Sequence, residues 1–332
     1  MRQVFAINKH AAIEETPVPE IKTGYVLVKT MHSIISPGTE ATIIDNSMDK
    51  KIPLGYSAMG VVEACGNDVE DVGEGDLVAC YGAPYVQHAE YLLVPKTLYS
   101  KVPDNVNPKE AALAGIGAIA IHALRVAKLE FGETIVIAGL GLLGQMIAKI
   151  ADAAAYNVIA YDIHKQRVDM LQKETNISSF SERGALEKEI HSNTCGHGAD
   201  AVLLCAGGNQ SPLTDQSLHW IRDKGKVVIV GDIEPNFPRA PMFRKEAQVL
   251  ISRAGGAGRY DHIYEKQATD YPYGFVRWTE GRNVAEYLRL VSEKRINVLP
   301  FLDNEIDFEK AASAYEELQD KNSTVLTKII NF

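Results

Sequence analysis

Three glycines and one acidic residue in the middle of the chain have the types and spacing of a dinucleotide-binding turn. Gly139, Gly141 and Gly144 form the pattern G-x-G-x-x-G, and Asp162 follows farther along the chain. The first glycine permits a tight reversal, the second a close approach of backbone to a pyrophosphate, and the third close packing of a helix on a strand. Free amide groups and the positive dipole end at a helix start favour phosphates. The turn therefore predicts dinucleotide binding.

The segments around this turn are those that such a motif requires. An apolar, β-branched run at 135–138 precedes it and predicts a strand buried on both faces. A helix with apolar residues at helical spacing follows, and a second strand at 158–161 ends at Asp162. The predicted cofactor contacts within the turn are Gly139, Leu140, Gly141, Leu142, Leu143 and Gly144.

Asp162 indicates which dinucleotide is bound. Its carboxylate can accept hydrogen bonds from both hydroxyls of an adenosine ribose, and it would repel a 2′-phosphate. We therefore predict NAD(H). His164, Lys165 and Arg167 follow closely, and their charges could offset this repulsion, so that use of NADP(H) stays open. Alternatively, these residues are only the solvated first turn of the next helix.

Composition restricts the class of protein. The 332 residues are enough for two domains, and no run reaches the eighteen or so apolar residues of a membrane span. The N-terminus lacks an apolar signal core, so we expect a cytoplasmic protein. The 34 basic and 43 acidic residues give a net charge of −9 without a basic run, which argues against a nucleic-acid partner. The four cysteines are scattered and predict neither a disulfide framework nor a cysteine zinc knuckle.

The chain order predicts a β-rich first part, an α/β doubly wound unit and a return. Short strands near 4–7, 26–30, 59–64, 77–81 and 91–94, separated by turn residues, indicate a small barrel or sandwich. Asn107 and Pro108 are a plausible cap and first position of a helical region that runs to about Lys128. In the last part we expect a helix near 284–294, an amphipathic helix at 308–318 and a closing strand at 325–330.

This order resembles the medium-chain dehydrogenase/reductase superfamily, the relatives of zinc-type alcohol and polyol dehydrogenases. The matching motifs are Met59–Glu63 with Val72–Val78, Ala111–Leu113, and Gly225–Gly231. The resemblance implies a GroES-like β-barrel catalytic domain with a Rossmann domain inserted, at 1–121, 122–256 and 257–332. It also implies that substrate and nicotinamide meet in the cleft between domains, and that the protein is a homodimer.

The predicted cofactor site extends beyond the glycine turn. The further residues stand directly after the acidic residue or at the ends of later strands of the Rossmann domain. They are Ile163, Arg167, Cys205, Ala206, Gly231, Ser252 and Arg253.

The departures from the family's pattern concern zinc. Zinc-using relatives carry a Cys in a C-G-T-D segment, a His in G-H-E, and a third ligand at the start of a helix. Here the corresponding segments contain Pro37, Tyr56, and Gly115 with Ile116. None of these supplies an imidazole, thiolate or carboxylate, and the family's four-cysteine structural lobe is missing as well. We therefore predict that no metal is bound.

A narrower resemblance rests on longer strings. The segments 33–40, 252–253 and 258–261, and the string Tyr271–Asn283, are similar to a zinc-less branch of the superfamily. In that branch the dehydrogenase module occurs alone or fused to a sugar oxidoreductase of the Gfo/Idh/MocA type. The resemblance associates this branch with carbohydrate or cyclitol-like compounds.

Without zinc, an organic group must handle the proton that accompanies hydride transfer. A ketone oxygen becomes negative as its carbon receives hydride, so a donor within about 3 Å would lower the barrier. Tyr56 stands where the resemblance places a ligand histidine, and it is either this donor or a wall of the cleft. Thr39 is either a proton-passing hydroxyl or a turn residue. Glu40 is either a base or the partner of Arg277 or Arg282 in an ion pair.

A stretch rich in arginine and aromatic residues suits a hydroxylated or anionic substrate. The alternative is a salt-bridge cluster between domains. The predicted substrate contacts are Ser57, Tyr260, Tyr273, Arg277 and Trp278.

The sequence thus predicts a metal-independent, NAD-preferring oxidoreductase that acts on a secondary alcohol or ketone of a small polar, sugar- or cyclitol-like substrate. Two alternatives stay open. One is a quinone- or enone-reducing relative, and the other is a catalytically silent NAD(H)-binding sensor or assembly protein.

Overall fold

The computed structural model describes residues 1–319 and 325–332 and divides the chain into two units. Unit 1 combines Met1–Ala118 with Gly255–Phe332, and unit 2 is Ile119–Ala254. The boundaries predicted from the sequence, 121/122 and 256/257, fall a few residues later. The sequence gives no break at the first junction because one continuous helix runs through it, at Ala114–Ala127.

The helices and strands of both units are numbered in chain order. The strands are β1 (Arg2–Ile7), β2 (His10–Glu15), β3 (Tyr25–Ile34), β4 (Ile52–Pro53), β5 (Ser57–Cys65), β6 (Leu77–Tyr81), β7 (Tyr91–Pro95), β8 (Tyr99–Lys101), β9 (Thr134–Ala138), β10 (Asn157–Tyr161), β11 (Ser178–Phe180), β12 (Ala199–Leu204), β13 (Ile221–Ile229), β14 (Gln248–Ile251), β15 (Glu305–Asp307) and β16 (Ile329–Asn331). The helices are α1 (Pro37–Asp45), α2 (Pro108–Ala111), α3 (Ala114–Ala127), α4 (Leu142–Ala153), α5 (Lys165–Glu174), α6 (Arg183–Asn193), α7 (Leu213–Trp220), α8 (Arg239–Lys245), α9 (His262–Glu265), α10 (Glu280–Ser292) and α11 (Ala311–Gln319).

Unit 2 is built on a parallel sheet with the strand order β11-β10-β9-β12-β13-β14. All five residues of β9 are buried, as expected for a continuous apolar run in the centre of such a sheet. The chain winds outward in one direction from β9 and in the other from β12. Because ligands bind beyond the carboxyl ends of the strands where this direction changes, the ends of β9 and β12 mark the expected binding edge.

Unit 1 contains a mixed sheet around β3 and a small sheet of β2, β1 and β4. Strand β3 pairs antiparallel with β5, β7 and the C-terminal β16, so the two chain segments of this unit share one sheet. Strand β6 has the predicted bounds, Leu77–Tyr81. The predicted fold class, a GroES-like barrel domain with a Rossmann domain, is confirmed.

Several elements differ from the prediction. Strand β2 was not predicted: it forms a hairpin with β1 through Asn8 and Lys9, both at positive φ, although lysine rarely marks such a turn. Helix α1 was not predicted either, since Pro37 and Gly38 suggest a turn, but proline is well tolerated in a first helical turn. The closing strand β16 is shorter than the predicted 325–330, and before it the Thr327 hydroxyl donates to the Ile35 carbonyl at 2.6 Å.

The predicted helix start at Asn107 is confirmed. Its side chain accepts a hydrogen bond from the Lys109 amide at 2.9 Å, and Glu110 bonds back to the Asn107 amide at 3.3 Å. These reciprocal bonds form a capping box. Among the described helices, none is both long and apolar enough to cross a membrane.

Candidate functional site

The glycine turn of unit 2 has a distinct geometry at each glycine. Gly139 adopts φ +103°, and a Cβ there would lie 2.6 Å from the Ala206 nitrogen. A Cβ at Gly144 would lie only 1.8 Å from the Gly139 oxygen, so this glycine allows α4 to pack against the turn. A Cβ at Gly141 would meet no atom within 4 Å. The backbone at Gly141, which caps the start of α4, therefore faces open space.

Asp162 is almost completely buried beside this turn. One carboxylate oxygen accepts the Leu140 amide at 2.7 Å and the other accepts the His164 amide at 2.8 Å. The Leu140 amide is therefore already paired, which the sequence did not indicate. Arg167 Nη1 lies 3.5 Å from the carboxylate and partly balances its charge. The oxygen that accepts the His164 amide keeps capacity for a further donor such as a ribose hydroxyl, whereas the other already accepts Leu140 and Arg167.

The other predicted cofactor residues lie at the same edge of the sheet. Cys205 and Ala206 follow β12, Gly231 follows β13, and Ser252 follows β14. A Cβ at Gly231 would lie 2.4 Å from the Ala206 oxygen, so these two loops touch. The next residue after Ser252, Arg253, lies close enough to His122 to contribute, after burial and Arg125, to lowering the pKa of that imidazole.

The leucines and Ile163 are placed differently. Leu140 and Leu142 have buried side chains, so a ligand in front of the turn could meet their backbone only. Ile163, directly after the buried Asp162, is 73% exposed. An exposed large apolar side chain beside a buried carboxylate offers a surface on which a flat ring could lie.

In unit 1, Tyr56 lies between β4 and β5 with its phenol directed at helix α1. Its hydroxyl donates to Ser36 Oγ at 2.6 Å, and Thr39 also bonds it. Burial and the nearby Glu40 carboxylate raise the pKa of Tyr56 to about 12, although hydrogen bonding with Ser36 and Thr39 acts to lower it. At neutral pH the phenol is protonated and can donate a proton or hydrogen bond, but it cannot serve as a base.

Glu40 is fully buried in α1 and has no arginine partner. One oxygen accepts the Ser36 amide at 2.7 Å, and the other lies 2.9 Å from His88 Nε2 and accepts the Tyr315 hydroxyl. The predicted ion pair with Arg277 or Arg282 is wrong. Sequence reasoning missed Ser36, His88 and Tyr315, because His88 and Tyr315 are far from Glu40 in the chain.

Ser57 has a structural position in this unit. Its side chain is buried, donates to the Ala112 carbonyl at 2.6 Å and accepts the Gly115 amide at 2.9 Å. It thus joins β5 to the start of α3. Its hydrogen is already donated to Ala112, so a substrate could bond Ser57 only as a donor to the remaining lone pair of the hydroxyl oxygen.

The donor set at the family's zinc positions does not fit a metal. Pro37, Tyr56 and Gly115 occupy these positions, and a Cβ on Gly115 would lie 2.7 Å from both Ser57 and the Tyr81 ring. The Tyr56 and Tyr81 rings meet edge to face, with centroids 6.1 Å apart. Two aromatic rings thus pack where a ligand side chain would be needed. Across 1–319 and 325–332, no group of three or more His, Cys, Asp or Glu residues could hold a metal ion.

Three of the predicted substrate residues form one surface stack. The Arg277 guanidinium lies 3.6 Å from the Trp278 ring centroid and 4.5 Å from that of Tyr273. Tyr260 is 64% exposed, and Arg259 stacks on it at 4.3 Å. Flat rings and guanidinium groups of this kind can contact a sugar or an anion.

Three residues near the end of the 271–283 string, by contrast, have a structural role. Thr279, Glu280 and Asn283 are fully buried at the start of α10. The Glu280 amide donates to the Ala257 carbonyl at 3.0 Å, and Asn283 Nδ2 donates to the Gly255 carbonyl at 2.8 Å. These residues hold the glycine-rich loop after Ala254, whose Gly255 packs directly on the Tyr81 ring.

Known proteins resemble the chain over nearly all its length. A family model described as zinc-binding dehydrogenase matches residues 139–268. The probable D-xylulose reductase A of Aspergillus clavatus is 25% identical, over 92% of this chain and 90% of that protein. Galactitol-1-phosphate dehydrogenase from Escherichia coli superposes with a TM-score of 0.81 at 18% identity, covering 100% of both chains. A short chain alcohol dehydrogenase from E. coli CFT073, complexed with NADH, gives 0.80 at 17% identity, covering 100% of this chain and 99% of that one.

Proposed function

Since the chain belongs to the medium-chain dehydrogenase/reductase superfamily and is an alcohol dehydrogenase-like oxidoreductase, we propose that it reduces a ketone on a small polyol or sugar with NADH, without a metal ion. The observation that carries this proposal is the glycine turn. Its outer glycines are closed by contacts with backbone, and Gly141 alone faces open space at a helix start. That combination suits the approach of a pyrophosphate to the backbone.

The preference for NADH is supported by Asp162. Its buried carboxylate would lie against the 2′-phosphate of NADP(H), and such a contact costs free energy unless a cation compensates for it. Arg167, 3.5 Å away, is the residue that could do so. We therefore propose that NADH binds more tightly than NADPH, and that Arg167 determines how large the difference is.

Proton transfer is assigned to Tyr56. When bound, the nicotinamide supplies the hydride, and this chain must supply the proton or a hydrogen bond for the developing alkoxide. A phenol whose pKa is about 12 is protonated at neutral pH and is still a stronger acid than an aliphatic alcohol. Tyr56 is thus better matched to reducing a ketone than to removing a proton from an alcohol.

Metal independence is supported by the donor set, because proline, tyrosine and glycine stand where relatives place zinc ligands. The substrate class is supported by two relatives, which are named for D-xylulose and galactitol 1-phosphate. The stack of Arg277, Trp278 and Tyr273 offers the kind of surface that polyols and phosphorylated sugars bind.

The test combines cofactor binding, turnover and metal analysis. NADH and NADPH are titrated by nicotinamide fluorescence, and reduction of D-xylulose and other ketoses is followed by NADH absorbance, with and without a chelator. We expect Tyr56→Phe to lower kcat about 100-fold with unchanged NADH affinity. Tyr25→Phe is the matched control, because it also removes a phenol, one that bonds the Lys266 carbonyl, and should leave kcat unchanged.

The outcomes separate the candidate functions. Stoichiometric bound zinc, or activity lost to the chelator, would overturn metal independence. Turnover of quinones or enones but not of ketoses would favour the quinone- or enone-reducing alternative. NADH binding without turnover on any carbonyl compound would favour a sensor or assembly protein.

A further inference from the structure

Unit 1 contains a buried polar cluster that none of the resemblances accounts for. Glu40, His88 and Ser33 are fully buried, and Tyr315 is 4% exposed. The four residues come from α1, the segment before β7, β3 and α11. Burying a carboxylate and an imidazole together is costly unless their hydrogen bonds are satisfied, so such a cluster calls for an explanation.

Every hydrogen-bonding group of the cluster has a partner when Glu40 is a carboxylate. The carboxylate receives the Ser36 amide and the Tyr315 hydroxyl, and His88 Nε2 lies 2.9 Å from it. His88 Nδ1 lies 2.7 Å from Ser33 Oγ. An imidazole protonated on Nε2 donates to Glu40 and accepts the Ser33 hydroxyl, so every donor has an acceptor.

Two physical links connect this cluster to Tyr56. Glu40 binds the Ser36 amide, and the Ser36 hydroxyl accepts the Tyr56 phenol at 2.6 Å. On the other side, Gly55 precedes Tyr56 and adopts φ +98°, and a Cβ there would lie 2.9 Å from the His88 ring. The phenol is thus held through Ser36, and the Tyr56 backbone is held against the imidazole.

We propose that Glu40 and His88 are positioning residues for Tyr56. The buried carboxylate fixes Ser36, Ser36 fixes the position of the phenol, and His88 with Tyr315 keeps the carboxylate in place. This inference rests on the proposed function only in so far as Tyr56 donates the proton. The arrangement of the cluster itself requires neither cofactor nor substrate.

The charge of Glu40 distinguishes this role from simple packing. A buried negative charge opposes formation of a tyrosinate at Tyr56. The Ser36 hydroxyl, which accepts from the protonated phenol, can rotate to donate to the tyrosinate and so stabilises it. The other ionisable group that affects Tyr56 is Tyr81, which packs against its ring. Removing the Glu40 charge and removing the Ser36 hydroxyl should therefore shift the titration of Tyr56 in opposite directions.

The experiment measures the alkaline titration of Tyr56 through tyrosinate absorbance, taken as the difference between each protein and its Tyr56→Phe counterpart. Glu40→Gln should move this titration to lower pH, and Ser36→Ala should move it to higher pH. Asp45→Asn is the matched control, because Asp45 is exposed on the same helix, and it should cause no shift.

A general loosening of the unit would expose the phenol and lower its pKa in both variants. Shifts of the same sign, or no shift in either variant, would overturn the proposal. Should Glu40→Gln fail to fold, His88→Ala and His88→Gln replace it. The alanine variant should perturb the titration, and the glutamine variant, whose amide can still donate to Glu40, should restore it; equal behaviour of the two would count against the proposal.

Activity provides the second readout. Glu40→Gln should lower kcat for ketose reduction about tenfold. KM should change little, because in this proposal Glu40 positions Tyr56 and does not itself touch the substrate. If the opposed titration shifts are found in a protein that turns over no carbonyl compound, the positioning of Tyr56 stands and the proposed function fails. If ketose turnover is found without the opposed titration shifts, the proposed function stands and the positioning of Tyr56 by Glu40 fails.

Discussion

Two buried carboxylates, one in each unit, are held in opposite ways. Asp162 is 4% exposed and bonds backbone amides of Leu140 and His164, which belong to the same strand-turn-helix motif. Glu40 is fully buried, and two of its three partners, His88 and Tyr315, come from distant parts of the chain. The first carboxylate depends on local backbone geometry, and the second depends on the assembly of the whole unit.

From this difference we expect the two sites to respond differently to changes in sequence. A backbone turn can be specified by a few glycines at fixed spacing, because only glycine fits the positive φ at Gly139 and the close contact at Gly144. A cluster of side chains has no fixed spacing, and each member can be exchanged if its partners change too. The following predictions test this contrast, from the largest expected effect to the smallest.

Two glycines of the turn should respond differently to an added side chain. Gly144 has no room for one, whereas Gly141 has room for a methyl group. In Gly144→Ala the new Cβ would collide with the Gly139 carbonyl, and we expect a loss of about 3 kcal/mol in the free energy of unfolding together with loss of NADH binding. Gly141→Ala should fold normally, but its affinity for NADH should fall at least about tenfold, because the new Cβ enters the open space proposed for the pyrophosphate. Urea unfolding and NADH fluorescence measure the two effects.

Gly184→Ala is the control for both variants, since Gly184 lies in α6 with no atom within 4 Å of a new Cβ. It should fold with equal or greater stability and bind NADH normally. Normal NADH binding by Gly141→Ala would show that the pyrophosphate does not approach this glycine.

Removing the charge of Glu40 should cost more stability than removing an exposed charge on the same helix. In Glu40→Gln an amide group faces the donors of His88 and Tyr315, and we expect the free energy of unfolding to fall by about 3 kcal/mol. Asp45→Asn should change it by less than about 0.5 kcal/mol. Equal effects in urea unfolding would contradict the assignment of Glu40 as a buried, fully paired carboxylate.

The charge of Asp162 should control cofactor choice. Asp162→Asn keeps the shape but removes the repulsion of a 2′-phosphate, so the ratio of NADH to NADPH affinity should fall about tenfold. Asp169→Asn, which removes an exposed carboxylate paired with Lys165 on α5, should leave the ratio unchanged. An unchanged ratio in Asp162→Asn would place the ribose elsewhere.

Tyr315 should make stability depend on alkaline pH. Burial raises its pKa well above the ordinary 10, and the Glu40 carboxylate adds to this effect. The folded protein therefore keeps a proton on Tyr315 that the unfolded chain has lost, and Tyr315 alone should lower stability by about 1.4 kcal/mol per pH unit above pH 10. Tyr315→Phe should be about 1 kcal/mol less stable at neutral pH, and this deficit should shrink above pH 10. A deficit that does not change with pH would contradict the raised pKa.

The success of prediction from sequence varied with the range of the interactions involved. The strand at 77–81 and the helix cap at Asn107 follow from neighbouring residues, and both have the predicted positions. Helix α1 and strand β2 were missed because their local signals, Pro37-Gly38 and a lysine at positive φ, favour turns. The alternative that paired Glu40 with Arg277 or Arg282 was wrong for a different reason, since nothing near Glu40 in the chain indicates His88 or Tyr315.

The sequence by itself determined the parallel unit, its glycine turn and the acidic residue beside it, because strand, turn and helix form from contiguous residues and glycine is uniquely suited to the closest contacts. Only the tertiary structure decided which groups surround Glu40 and Tyr56, and that Ser57 bonds the start of α3 rather than facing outward. These contacts join residues far apart in the chain, and their formation depends on the folding of the mixed sheet, which no local pattern encodes.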